Sequence, residues 1–246
     1  LGVPATAVTP LDFRFYVSDM ALLDTDGNEV PLILQQDGKW QHQSVALLDF
    51  ENKSGACANG TVETRAEVVG TVPAGNYSGV KFTLGVPFGL NHVDSTLAPS
   101  PLNLTSLWWN WNFGYKFARI DVTPATEIAP PSNSAVQDPQ TVEEFNGFAI
   151  HLGSVGCQMD ATQSPVVCSL PNRPEVLLPG FDPEENVIVA DLAALLSQTN
   201  LTENQENTAV GCMSLPTDND CAGIMQNLGL PFNDQPVREQ TFFRVK

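Results

Sequence analysis

Three histidines stand in the 246-residue sequence, and one closes the triplet Trp40-Gln41-His42, with His92 downstream in Phe88-Gly89-Leu90-Asn91-His92. In an extended strand residues i and i+2 project from one face, with Cα atoms roughly 6.5–7 Å apart. Trp40 and His42 can therefore address one small object, and imidazole suits copper, zinc, iron and nickel. Trp40 is the odd member, because its indole N–H donates and carries no free lone pair. In a metal site it must act through its ring face or be chemically altered first. The plainer alternative is that His42 packs at a strand end and His92 caps a loop, since no acidic or thiolate ligand stands at a signature spacing. His151, in Phe148-Ala149-Ile150-His151-Leu152-Gly153, lies on an apolar strand and is expected to be structural.

Other chemistries find less support. A blue-copper site wants two His, a Cys and a weak axial ligand, and the usual Cys, His and Met cluster along one late loop is absent. The copper oxygenases of polysaccharides use an N-terminal histidine, and residue 1 is Leu. There is no Gly-x-Ser-x-Gly elbow and no His-Glu-x-x-His, so hydrolytic chemistry finds no support. Asp24, Asp26 and Asn28 alternate around Gly27 as calcium ligands do, but the closing Glu of a full EF loop is missing. A hairpin turn explains the same residues. Trp108, Trp109 and Trp111 suit aromatic core packing, or else an electron-hole relay or docking face.

Five cysteines lie at 57, 157, 168, 212 and 221. The last four allow three pairings, and sequence does not choose among them. Two local bridges, Cys157–Cys168 and Cys212–Cys221, are the expectation, each worth roughly 3 kcal/mol in the loop-entropy model and each implying an oxidising compartment. Cys57 is left over.

The elements that must position these residues read as strands. Phe13, Phe15 and Val17 alternate with Arg14, Tyr16 and Ser18, the period of a half-buried strand. Residues 30–34, 44–49, 61–72, 80–86 and 115–122 look similar and are broken by Gly- and Pro-containing turns. A Pro/Ser/Asn-rich loop over residues 124–139 precedes a further strand at 145–152. Short helices are expected at residues 191–196, with Asp191 as N-cap, and at 222–228, stopped by Gly229. The pattern predicts an all-β, single-domain, β-sandwich-like fold over residues 1–246, with long irregular loops, a few short helices and local disulfides.

The formal charge of −17 excludes a basic nucleic-acid stripe. It fits solubility in an exposed compartment, or attraction to cations and a basic partner. No run approaches the roughly 20 apolar residues of a membrane span. The start at Leu1-Gly2-Val3-Pro4 fits a mature or trimmed terminus.

Several segments run in order: Phe15-Tyr16-Val17-Ser18-Asp19, Trp40-Gln41-His42, the stretch 46–52, Gly85-Val86-Pro87 with Asn91-His92, and Pro101-Leu102-Asn103-Leu104. Residues 108–121, His151-Leu152-Gly153-Ser154 with Cys157, and Cys212-Met213-Ser214 complete the series. The set, which spans nearly the whole chain, resembles the MbnP family, the four-cysteine member of a "metallo-mystery pair". That family is related to secreted and periplasmic copper proteins of methane-oxidising bacteria (methanotrophs). The resemblance implies a Cu(I) site made by His42, His92 and Trp40 oxidised to kynurenine. It implies a di-haem MbnH-type, peroxidase-like partner that performs the oxidation, and it brings in methanobactin as a candidate partner. It places the protein in the periplasm or at the cell surface, as a non-enzymatic carrier, store or chaperone in copper homeostasis. The fifth cysteine departs from the family pattern. The reading from another class is an extracellular interaction domain stabilised by disulfides and calcium, with no copper role.

Overall fold

Alternation at residues 13–18 proves to be the middle of a much longer strand. In the computed structural model, which describes residues 1–54, 60–110, 112–125 and 147–246, β1 runs over Val8–Asp24. Cys57, Trp111, residues 126–139 of the proline-rich loop and 145–146 of the strand expected after it lie outside the described residues.

The chain then forms β2 (Glu29–Pro31), β3 (Ile33–Leu34), β4 (Gln41–His42), β5 (Val45–Asp49), β6 (Gly70–Thr71), β7 (Tyr77–Leu84) and the single-turn helix α1 (Phe88–Asn91). A 3₁₀ turn at Thr105–Leu107 leads into β8 (Trp108–Asn110), β9 (Gly114–Tyr115) and β10 (Ala118–Pro124). Next come β11 (Phe148–Leu152), β12 (Val155–Met159), β13 (Pro165–Leu170), β14 (Glu175–Pro179) and β15 (Ile188–Ala190). The last elements are α2 (Leu192–Leu195), α3 (Ala222–Asn227) and β16 (Phe243–Val245). Strands thus dominate and the helices are short, as the sequence predicts.

β1 organises the main, eight-stranded sheet. Its first half pairs antiparallel with β10, from Val8↔Pro124 to Phe15↔Ala118. On its other edge Arg14–Ser18 face β5. Beyond Ser18 the register slips, Asp19 turning left-handed at φ 53°. β7 has by then taken over the edge that β10 held, pairing from Val17↔Leu84, and beyond the slip β2 follows β5. A bulge of this kind bends and twists a long strand, and β1 as a whole serves two partners on each side.

The two faces of β1 are covered differently. Phe15 packs on Phe243 with ring centroids 5.6 Å apart, and Phe82 packs on the same ring at 5.1 Å. That side is closed by β15 and β16. On the opposite face Tyr16 donates to Pro101 O at 2.9 Å, under the segment from α1 to β9.

One expected strand is largely missing. Of residues 61–72 only Gly70–Thr71 is strand, with an isolated bridge between Asp49 and Arg65. Within this stretch the Gln41 side chain donates to Val69 O and accepts from Val69 N, each at 2.7 Å, and Gln35 N also donates to Val69 O at 2.9 Å. At Val69, then, a side-chain amide occupies the N–H that a ladder would have used. The two C-terminal helices form where expected. Asp191 accepts from Ala193 N and Ala194 N at 3.0 and 3.1 Å, and Gly229 follows α3 at φ +75°. Among the described residues no helix is long and apolar enough to cross a membrane.

Candidate metal centre

Trp40 is seated by the turn before it. Asp37 Oδ1 accepts from the N–H groups of Lys39, Trp40 and Gln41 at 2.9, 2.8 and 3.0 Å, while Gly38 supplies φ +71°. After that turn the chain is committed to the sheet: Leu47 N donates to Trp40 O at 2.8 Å, Gln41 faces Ala46 and His42 faces Val45. Gln43, at φ 52°, turns the hairpin back into β5.

Register then sorts the side chains. Residues opposed across an antiparallel pair share a face. Trp40 therefore lies on the side of Leu47 and Tyr16, and His42 on the side of Val45 and Ser18, which is the same side. Gln41 points the other way, into its bonds with Gln35 and Val69. Trp40 is 9% exposed and His42 is half-buried. Lys39 Nζ stands 5.0 Å from the Trp40 ring centroid, and a His42 ring nitrogen lies 3.2 Å from Gln43 Nε2.

His92 arrives on the segment that covers this face. Gly85 N donates to Tyr16 O at 2.7 Å, and the chain leaves β7 through Pro87 into α1, with His92 just past its end. Three bonds lay the following residues across the Tyr16 face. Ser100 Oγ donates to Lys39 O at 2.7 Å, beside Trp40. Tyr16 and Tyr115 hydroxyls donate to Pro101 O and Leu102 O. Asn91, 1% exposed, accepts from Tyr115 N at 2.8 Å through Oδ1, while its Nδ2 lies 3.2 Å from His92 Nε2. The structure thus sets Trp40 and His42 on one face and lays residues 100–102 against it; His92, upstream on the same segment, lies beside Phe88, Asn91 and Cys168.

His92 also has a neighbour the sequence did not suggest. Cys157 and Cys168 are opposed across the β12–β13 hairpin and bridged, and Cys168 Sγ lies 3.6 Å from His92 Nε2. Among the described residues these three form the one group of His, Cys, Asp or Glu donor atoms that all lie within 4.8 Å of one another. A cavity of about 550 Å³ opens beside it, lined by Phe88, His92, Trp108 and Pro165. The second bridge joins Cys212 and Cys221, so both expected pairings are present.

The remaining candidates have structural employment. Asp24 Oδ1 accepts from Asp26 N and Asn28 N at 2.9 and 2.8 Å, and Oδ2 from Asn28 Nδ2 at 3.0 Å. The Asn28 side chain and these backbone amides hold its carboxyl below the usual range, and the turn joins β1 to β2. His151 is fully buried on β11 with Nε2 2.9 Å from Asp121 Oδ1. Trp109, half-buried, has its ring 6.4 Å from that of His151 and stands 5.8 Å from Lys116 Nζ, while Trp108, also half-buried, is the tryptophan that packs against the core.

His151 belongs to a buried charge network that the sequence reading missed. Arg119 Nε lies 2.8 Å from Asp121 Oδ2 and 3.1 Å from Asp12 Oδ2, and Arg14 forks onto Asp12 at 2.8 and 2.5 Å. Both arginines also reach Ser106, in the 3₁₀ turn of the covering segment, at 3.3 and 3.2 Å. Burial alone would push Asp121 up, but the facing His151 ring and Arg119 hold it well below the usual carboxylate range. Burial does push Asp12 up, and Asp49, beside Arg14, up to about 6. The signal was available: Asp12-x-Arg14 and Arg119-x-Asp121 each place opposite charges on one strand face.

An all-β chain stapled by two local disulfides, with Trp and His paired on one sheet face, is the class that fold and site define. The chain belongs to the MbnP family, whose model matches residues 3–214. It is similar in structure to MbnP from Methylosinus trichosporium, with a TM-score of 0.82 and 30% sequence identity, over 100% of this chain and 89% of that one. Comparison with curated proteins finds no match.

Proposed function

We propose that this protein binds Cu(I) outside the cytoplasm as a carrier, store or chaperone, and that it is the substrate of a di-haem MbnH-type oxidant rather than an enzyme. In this reading Trp40, once oxidised to kynurenine, joins His42 and His92 as a copper ligand. The carrying observation is the register that puts Trp40 and His42 on one face. Opening the indole ring converts a nitrogen that only donates into an aniline amine with a usable lone pair. That amine and two neutral imidazoles suit a soft monovalent ion, because few charges have to be neutralised. The two disulfides fit an oxidising compartment, and the charge of −17 suits docking to a basic partner face.

The test is peptide mapping of protein produced with and without the di-haem partner, combined with Cu(I) titration. Conversion of Trp40 only when the partner is present, and a loss of Cu(I) affinity in the His42→Ala, His92→Ala double variant, are expected. An intact Trp40 after co-production, together with unchanged Cu(I) affinity in that variant, leaves the interaction-domain reading instead.

A further inference from the structure

We propose that the Cys157–Cys168 bridge is a reducible clasp beside His92. Its dithiol form holds one soft cation through Cys157 Sγ, Cys168 Sγ and a His92 ring nitrogen. The choice of copper as that cation rests on the reading above; the ligand set does not.

Three observations carry the proposal. The first is distance. A metal bound at about 2.0 Å from imidazole nitrogen and about 2.3 Å from a thiolate, in a trigonal arrangement, separates those atoms by about 3.7 Å. His92 Nε2 and Cys168 Sγ already stand 3.6 Å apart. Two such thiolates on one metal lie at most about 4.6 Å apart, and all three donors fall within 4.8 Å of one another. Opening the bridge therefore asks for side-chain rotation rather than a change of fold.

The second is access. Cys157 is half-buried on an exposed hairpin, and a cavity lined by His92, Trp108 and that hairpin's Pro165 opens beside the histidine. Cys212 and Cys221, by contrast, are 1% and 0% exposed. A reductant meets the first bridge and not the second. The third is donor chemistry. Paired thiolates select Cu(I) and other soft ions, whereas the bridged sulfurs offer only weak acceptors.

The reductant is a vicinal dithiol of the thioredoxin kind. One of its thiolates attacks Cys157 Sγ, the S–S bond breaks, and Cys168 leaves as thiolate beside the His92 ring. The second thiol of the reductant closes on the mixed disulfide and releases Cys157. Two electrons and two protons pass from the dithiol to the bridge, and the reductant becomes a disulfide. Cu(I) then binds with loss of both thiol protons.

The experiment uses the full chain with Cys57→Ser to remove the fifth thiol, reduced anaerobically with a dithiol and freed of it. Differential alkylation identifies the opened bridge, and the protein is titrated with Cd²⁺ and, against a chromophoric chelator, with Cu(I). One equivalent of thiolate-to-metal ultraviolet absorption is expected in the reduced chain and none in the oxidised chain. It should vanish in Cys157→Ser, Cys168→Ser, and the affinity read from the titration should fall at least about tenfold in His92→Ala. The same signal in a Trp40→Phe, His42→Ala chain separates this site from the kynurenine site, which those changes abolish. Opening of Cys212–Cys221 first, absorption that survives loss of Cys157 and Cys168, or indifference to His92→Ala would each overturn the proposal.

Discussion

Replacing Asp121 by Asn strips one charge from a network that has no water to fall back on. Asp121 is 4% exposed and Arg119 8%, and Arg14 is fully buried. Two carboxylates, Asp12 and Asp121, face two guanidinium groups at 2.5–3.1 Å. An Asn in place of Asp121 leaves Arg119 with one facing carboxylate, Asp12, which Arg14 already forks, beside its bond to Ser106 O, and takes the anion from His151. Removing one partner of a buried pair costs about 3–5 kcal/mol. For a chain of this size that is about 2–4 °C per kcal/mol, so the melting temperature should fall by roughly 6–20 °C. Urea denaturation at pH 7 measures the loss directly, and a double-mutant cycle with Arg119→Met isolates the pair. The double variant should be markedly less unstable than the sum of the singles, since no unpaired cation is then left. A loss below about 1 kcal/mol for Asp121→Asn, with additive singles, would refute the picture of a dry, mutually dependent network. The sign with pH follows. Asp121 is held below its unfolded value, so its stabilisation is complete above about pH 4 and is lost as pH falls through the lower folded value.

Asn91→Ala should cost about 1–3 kcal/mol in urea melts by orphaning the buried Tyr115 N–H. If Asn91 also steadies His92, Cu(I) affinity should fall with it. Asp218 behaves oppositely to Asp121: burial, with Asp220 adding repulsion, pushes it up to about 7. The folded state therefore holds a proton the unfolded chain has lost, and stability should decline from about pH 4 to 7. Asp218→Asn should flatten that decline and raise the melting temperature at pH 7 by a few degrees, and an unchanged pH profile would count against it. Replacing Cys212 and Cys221 by Ser should cost roughly 3 kcal/mol for a bridge spanning nine residues, read by calorimetry.

Much of the architecture could be read in advance because its cause is local. The alternation around Phe15 and Tyr16 set a strand and its two faces, and Asp191 and Gly229 marked a helix start and a helix stop. The short spacings suggested both disulfides. Residues 61–72 were not legible in the same way: the partner that takes the Val69 N–H is Gln41, a side chain 28 residues away. The charge network escaped for a similar reason: Asp12-x-Arg14 and Arg119-x-Asp121 look like ordinary surface pairs until β1 and β10 are set side by side and a 3₁₀ turn is laid over them.

Trp40-Gln41-His42 by itself determines that an indole and an imidazole share one side of whatever strand they form, because the pleat has a period of two. It does not determine what lies opposite. That is a matter of long-range pairing: β5 fixes which face of the sheet the pair occupies, and the bonds of Ser100, Tyr16 and Tyr115 lay residues 100–102 across it. The nearness of His92 to Cys168, 76 residues away, is of the same kind. Residue types and short spacings are written in the chain. Which distant groups meet depends on the free energy of packing the whole sheet, and no local stretch of sequence contains it.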